Sequence, residues 1–471
     1  MNIENHRIKT SFLLVITLCL SLLACDKQQP TTGATAKAAV ELSDAEVENL
    51  VKRSWQYVAM YNVNNKGAML YGGWNLCDVD TKLKDHTLKL IARPNNDSLY
   101  ITCMLDLRKE PVILDMPAFD SKYVSLMVTG YDHYVNIPMS TRQGDFKKPE
   151  KMLFFSERTE GYQQGEQVEG VDQYFEATGD FLSAVFRVMP HANEPERFEQ
   201  IKQQMQSVKL LTLSELNGGK PKPGDDVDFP PVGKGDVDVY ADNLLQVMQF
   251  VFNHTSFDLD NELDQKLLAI YKPLGIVPGQ AYDPNAVAQL DGERLRKAAE
   301  RIEAEEMAKA DRLAASTELF KRKGDMDLDL LLFQSVFGPI GQPAFEAVYP
   351  AIETTDGAPM NAQHDYVIRI SADNMPPAEA FWSLTLYDTE NGFFIPNDRK
   401  KYSVGENGGM KLDEDGGIAI YIAAEQPEGV PEENWLPLNL GDYGIDAVLR
   451  LYVPDLKQFE NWTPPKAEKL K

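Results

Sequence analysis

Between Ser98 and Leu107 the chain alternates without a break. Leu99, Ile101, Cys103, Leu105 and Leu107 fall on one side, and Ser98, Tyr100, Thr102, Met104 and Asp106 on the other. A period of two is the pattern of a half-buried β-strand, so this stretch demands a sheet to pair with and a core to face. The residues before it are turn chemistry. Pro94 fixes its own φ and directs Arg93 towards an extended conformation, while Asn95, Asn96 and Asp97 can hydrogen-bond their own backbone. One guanidinium, two amides, a carboxylate and the Tyr100 phenol thus meet at the mouth of a strand. Two readings fit: a polar ligand site, or a hydrogen-bonded corner that locks a turn onto a sheet.

Strand texture continues to about Val188 and returns from Tyr366, with helices between and no internal repeat. Ser43-Asp-Ala-Glu46 is a capping box, and Val47, Leu50, Val51, Val58 and Tyr61 follow at helical spacing. Strands are expected at Pro111 to Met116, Tyr123 to Thr129, Met152 to Phe155 and Phe181 to Val188. Short strands joined by turns point to a β-sandwich. From His191 the pattern turns helical: Glu194 to Val208, Tyr240 to Asn253, Leu259 to Tyr271, and a long helix from about Asn285 to Lys323 rich in Ala, Glu, Lys and Arg. Asn217 to Asp238, rich in Gly, Pro and Asp, is the clearest loop. Strands return at Tyr366 to Ser371, Ala380 to Asp388, Ile418 to Ile422 and Ala447 to Val453. The last sets Val448, Arg450 and Tyr452 on one face against Ala447, Leu449, Leu451 and Val453 on the other.

The N-terminus carries an address. His6, Arg7 and Lys9 precede an apolar run from Phe12 to Leu23, too short to span a bilayer and suited to a secretory signal. It ends Leu22-Leu23-Ala24-Cys25, which resembles the bacterial lipoprotein box, where cleavage precedes a cysteine that is then acylated. Asp26 resembles the signal for retention at the inner membrane, and Gln28 to Ala39 is a small, polar tether. The expectation is a lipoprotein on the periplasmic side of a bacterial membrane, anchored through Cys25. In that oxidising compartment Cys77 and Cys103 can form a disulfide, or remain two buried hydrophobes. The 47 basic residues against 72 acidic ones give a net charge of -25, which argues against nucleic acid and against adhesion to anionic lipid.

Familiar catalytic signatures are missing: no GxSxG elbow, no HExxH, no phosphate loop and no Rossmann glycine pattern. The histidines lie far apart, Asp325 to Asp329 lacks the glycine and glutamate of a calcium loop, and neither a metal nor a cofactor is expected. What remains is aromatic and arginine chemistry: Trp382 and Tyr387 in one strand, Arg399 and Tyr402, Trp435, then Arg450 and Tyr452. Trp and Tyr give rigid apolar surface with a polar handle, and Arg forks onto carboxylates or stacks on rings. The set suits a small organic or glycan-like ligand; core aromatics with buried Arg–carboxylate pairs are the plainer alternative.

These residues carry a resemblance. Arg93-Pro-Asn-Asn-Asp-Ser-Leu-Tyr100, with Asp106-Leu and Glu110-Pro-Val, is similar to the core of the domain of unknown function 1254. Phe381-Trp-Ser-Leu-Thr-Leu-Tyr-Asp388, Arg399 to Ser403, Asn434-Trp-Leu-Pro437 and Arg450-Leu-Tyr-Val-Pro454 resemble the domain of unknown function 1214. Leu274-Gly-Ile-Val-Pro-Gly279 resembles the helical text between the two. The resemblance implies a mainly β chain: an N-terminal β-sandwich-like domain, an α-helical middle and a C-terminal jelly-roll-like β-domain. The expected boundaries are a signal peptide at 1–24, a tether at 25–42, the first β-domain with its leading helix at 43–190, helices at 191–340 and the second β-domain at 341–471.

Three functions are compatible with this. The first is an envelope protein binding a small organic molecule or cell-wall fragment between two β-domains, with Arg93, Asn95, Asn96, Asp97, Tyr100, Trp382, Tyr387, Arg399, Tyr402, Arg450 and Tyr452 as candidate ligand-binding residues. The second is a hydrolase or lyase in which Asp97 or Asp106 is the base, Tyr100 the acid and Arg93 the oxyanion partner. The third is a scaffold of an envelope complex; homo-oligomerisation is left open. Both site readings expect Arg93, Tyr100, Arg399 and Arg450 to converge on one solvent-reachable cavity.

Overall fold

The computed structural model describes residues 40–89, 92–224, 227–310 and 316–470. Cys25, Asp26 and the signal and tether segments lie outside the described residues. Four β-sheets and a helical middle region form the fold. Among the described residues no helix is long and apolar enough to cross a membrane.

The first half holds two sheets. Strands β1 (Leu76–Asp80), β2 (Leu99–Asp106), β8 (Phe181–Val188), β4 (Val124–Thr129) and β5 (Ile137–Ser140) pair in that order. The second sheet runs β7 (Gln173–Ala177), β6 (Glu150–Ser156), β3 (Val112–Met116), β9 (Lys209–Thr212). They face each other over one core. The alternation from Ser98 to Leu107 explains it: Leu99, Ile101, Cys103 and Leu105 are fully buried there, with Leu126, Phe186, Leu114 and Phe154. The outer face of the five-stranded sheet is also covered, by the helices at one end and by the C-terminal domain at the other.

The second half repeats the arrangement. Strands β10 (Ala347–Val348), β16 (Ile445–Pro454), β12 (Ala378–Asp388) and β13 (Ser403–Gly405) form one sheet. β15 (Trp435–Pro437), β14 (Ile418–Ala423), β11 (Tyr366–Ile370) and β17 (Ala467–Lys469) form the other. Ala447, Leu449 and Leu451 of β16 and Trp382, Leu384 and Leu386 of β12 fill the core between them. The alternate residues on those two strands, Phe381, Ser383, Thr385 and Tyr387 with Arg450 and Tyr452, are buried as well. Their side of the sheet meets the first domain.

Helix α1 (Asp44–Tyr71) starts at the expected capping box, with the Ser43 hydroxyl accepting from Glu46 N at 3.3 Å and Glu46 Oε2 accepting from Ser43 N at 2.8 Å. Three other helical expectations need correction. Tyr240 to Asn253 is two helices, Asp236–Asp242 and Leu244–His254, broken at Asn243, whose φ of -154° lies outside the helical range and whose side-chain amide donates to Pro231 O. The helix expected from Leu259 starts at Glu262, because Asn261 caps it and Leu259 lies in the preceding turn. Among the described residues, the long helix expected over 285–323 has its main helix at Gly292–Met307, which ends in a turn at Ala308 and Lys309. Asp291 caps its start, and near its expected end the chain turns to bond the first domain: Val135 N donates to Lys321 O, and Lys323 N to Asn136 Oδ1. Good helix-forming composition yields there to tertiary hydrogen bonds.

Cys77 and Cys103 face each other in the β1–β2 register and are joined by a disulfide closing a separation of 26 residues. It clips an edge strand whose own residues are half-exposed. Replacing both cysteines by serine is expected to cost about 2–4 kcal/mol of stability, read from urea unfolding. A loss below about 0.5 kcal/mol would mean that β1 is held by its ladder alone.

Candidate functional site

The Arg93–Ser98 segment is wedged between the domains: Pro94, Asp97 and Ser98 are buried, Asn95 and Asn96 half-buried, and Arg93 exposed. Arg93 is not extended as expected but has a φ of 48°. That turn lets its N–H reach Gly392 O at 2.6 Å and its carbonyl accept from Arg450 Nη2 at 3.2 Å. Gly392 is itself at φ 68°, and a Cβ there would sit 3.1 Å from Ala92 Cβ, so the contact requires glycine. The Arg93 guanidinium points outward to Asp446, at 2.5 Å.

Behind it lies a buried polar network. Tyr387 Oη donates to Pro94 O at 2.6 Å and accepts from Arg450 Nη2 at 2.5 Å. Asn95 bridges two ways, its Oδ1 accepting from Asp97 N at 2.6 Å and its Nδ2 donating to Tyr452 Oη at 2.6 Å. Asp97 is 1% exposed; Ser383 Oγ donates to its Oδ2 at 2.5 Å, and Asn407 Nδ2 donates to its carbonyl at 2.6 Å. Burial pushes the Asp97 carboxyl above its ordinary value, opposed by the Arg450 charge and the Ser383 hydroxyl. Burial likewise pushes the Tyr387 hydroxyl up to about 12.

The network is incompletely satisfied. Asn96 Oδ1, Asp97 Oδ1, Ser98 Oγ, Thr385 Oγ1 and Arg450 Nη1 are all buried without a hydrogen-bond partner. Opposite charges on Asp97 and Arg450 share the seam, yet among the described residues no direct ion pair joins them. Buried polar groups are nearly always paired, so five such atoms on one loop and the strands facing it require an explanation.

Beside this network the interface is aromatic. Phe381 stacks on Tyr452 with centroids 4.0 Å apart, and Tyr123 from the first domain packs on both. Arg187, buried in β8, donates to Tyr349 Oη at 3.0 Å and lies over the half-buried Tyr100 ring.

Of the expected residues, then, Arg93, Asn95, Asp97, Tyr387, Arg450 and Tyr452 come together, with Asn96 on the same loop and Tyr100 close by against Arg187. Of the other three, Trp382 and Arg399 lie apart, and Tyr402 reaches Tyr387 only through the Phe394 ring between them. Trp382 is in the core of the second sandwich. Tyr402 packs on Phe394, with its hydroxyl 2.7 Å from His86 Nδ1. Arg399 is on the surface, paired with Glu432 and over Trp435. The single solvent-reachable cavity expected of Arg93, Tyr100, Arg399 and Arg450 is not formed, because the sheet face bearing Arg450 is covered by the first domain. Sequence reasoning missed Ser383, Ser98, Asn407 and Arg187. Two left a trace: a serine and an arginine set in apolar strands, Ser383 in Phe381 to Leu386 and Arg187 in Phe181 to Val188.

Residues 77–210 match the family described as Protein of unknown function (DUF1254), and residues 346–456 match Protein of unknown function (DUF1214). The fold is similar to the crystal structure of the VPA0106 protein from Vibrio parahaemolyticus, with a TM-score of 0.70 at 24% identity over 91% of this chain and 100% of that one. An uncharacterized protein from Burkholderia cenocepacia aligns at a TM-score of 0.41 and 12% identity, over 90% of this chain and 95% of that one. No curated protein matches. The chain therefore belongs to the proteins that join an N-terminal DUF1254 domain to a C-terminal DUF1214 domain.

Proposed function

We propose that this is a lipid-anchored protein of the bacterial cell envelope, held on the periplasmic side of the membrane through Cys25, that binds a small polar organic molecule or cell-wall fragment between its two β-domains. One observation carries the binding reading: the five buried, unpartnered polar atoms of Asn96, Asp97, Ser98, Thr385 and Arg450. They offer a charged donor, acceptors and two hydroxyls, a set that a polar guest satisfies and an apolar one does not. Entry requires the domains to part at the seam. The anchor reading is supported by the lipoprotein box, and the oxidising compartment by the Cys77–Cys103 disulfide.

The test uses full-length Cys25→Ser protein, expected in the soluble rather than the membrane fraction, melted with and without fractionated periplasmic extract. A fraction holding the ligand raises the melting temperature. Ser98→Ala removes one unpartnered hydroxyl, so it is expected to leave the empty protein as stable or more stable while shrinking that rise. No rise with any fraction, or an undiminished rise in Ser98→Ala, sinks the seam as the binding site. Membrane retention of Cys25→Ser sinks the anchor.

A further inference from the structure

The first sandwich carries a recess on the outer face of its second sheet, the side turned away from the five-stranded sheet. In the parallel register of β6 and β7, Leu153 pairs with Tyr174 and Phe155 with Glu176, so these four side chains share that face. Phe154 and Phe175 stack on each other on the inner one. The chain leaving β6 then folds back over the outer face. Tyr162 packs on Phe155 with ring centroids 4.9 Å apart, and its hydroxyl donates to Glu166 O at 2.8 Å. The Tyr174 hydroxyl donates to Val168 O at 3.1 Å and accepts from Val168 N at 2.8 Å. Between this loop and the sheet lies a recess of about 170 Å³, lined by Phe155, Tyr162, Tyr174, Gln164, Glu166 and Glu176 among others. A single water needs roughly 10–15 Å³ of such space, so this recess admits a group of several heavy atoms.

Its walls carry charge of one sign. No lining residue is basic, and neither Glu166 nor Glu176 has a cationic partner among the described residues. Glu176 accepts only a neutral donor there, Gln164 Nε2 at 2.7 Å. Backbone groups occupy both tyrosine hydroxyls, so Tyr162 and Tyr174 offer the recess ring surface in place of free donors. We propose that the recess binds a small organic cation of the alkylammonium class, held by the three aromatic rings and balanced by Glu166 and Glu176. The negative face of an aromatic ring attracts such a cation, and its alkyl groups bury apolar surface against the same rings. An anion would meet two carboxylates and no basic side chain. A neutral polyol would leave both carboxylates without a counter-charge.

Isothermal titration of the full-length Cys25→Ser protein tests this with choline, against its uncharged isostere 3,3-dimethylbutan-1-ol and against glucose as a polyol. Choline is expected to bind with a Kd of about 1 mM or below, the uncharged alcohol about tenfold more weakly, and glucose not at all. Glu166→Gln with Glu176→Gln is expected to weaken choline binding about tenfold, and Tyr174→Leu by at least as much. Glu166 and Glu176 are exposed, so the glutamine pair keeps the fold even where Tyr174→Leu loosens the loop. Absence of choline binding, equal binding of the uncharged alcohol, binding of glucose, or unchanged choline affinity in the glutamine pair overturns the proposal.

Discussion

Arg450→Ala is expected to destabilise the protein by about 3–5 kcal/mol, read from urea unfolding, because it takes a buried cation out of a polar network. The guanidinium is 4% exposed and holds Tyr387 Oη and the Arg93 carbonyl. Truncation would strand those two acceptors and remove the positive charge that makes an ionised Asp97 tolerable. The same seam carries the aromatic stack of Phe381 and Tyr452, so the cavity left by the side chain opens beside the main apolar contact between the domains. Arg450→Met, which refills most of the volume, is expected to lose less. A loss under about 1 kcal/mol in Arg450→Ala would mean that the network orders the seam without stabilising it.

The Asp97 carboxyl adds a pH signature. Its folded pKa is raised, so the folded state holds that proton more tightly than the unfolded state. Its contribution to stability is then present at acid pH and lost as pH rises through the folded value. Asp97→Asn is expected to remove that slope above the ordinary carboxylate range. An unchanged slope would mean that Arg450 fully offsets the burial of Asp97.

How much of this was legible depends on what each residue answers to. The period-two runs at Leu99–Asp106 and Ile445–Pro454 were readable because one face of each strand answers to a single core. Their other faces were not, since Tyr100, Arg450 and Tyr452 look solvent-facing until a second domain is laid on them. Short edge strands such as Ser403–Gly405 and Ala467–Lys469 carry too few residues for a pattern. Arg93 violated a sound local rule because two tertiary hydrogen bonds fix it at positive φ. Asp97 was chosen for its chemistry, and its neighbours were found; what sequence could not supply was that they would be sealed.

The same separation between sequence neighbours and spatial partners governs Asp180. This carboxylate, 2% exposed, joins three parts of the chain. Its Oδ1 accepts from Ser156 Oγ at 2.7 Å, Arg158 reaches both oxygens through Nε at 3.1 Å, and Oδ2 lies 2.9 Å from His254 Nδ1 at the end of the helix Leu244–His254. The helical region is thereby tied to the first sandwich at one buried charge. Burial alone would raise the Asp180 carboxyl, but the His254 hydrogen bond and the Arg158 charge outweigh it and hold it below its ordinary value. Its stabilisation is therefore present above the unfolded pKa and lost as pH falls through the folded one. Asp180→Ala is expected to cost about 3–5 kcal/mol at neutral pH, because Arg158 and His254 both lose the anion they were built around. Asp180→Asn keeps the shape and is expected to flatten the acid limb of the stability curve, since the titrating group is gone. Should urea unfolding at neutral pH place Asp180→Ala within about 1 kcal/mol of the parent, the helices are held to the sandwich by the aromatic contacts around Phe181 and Phe250 instead.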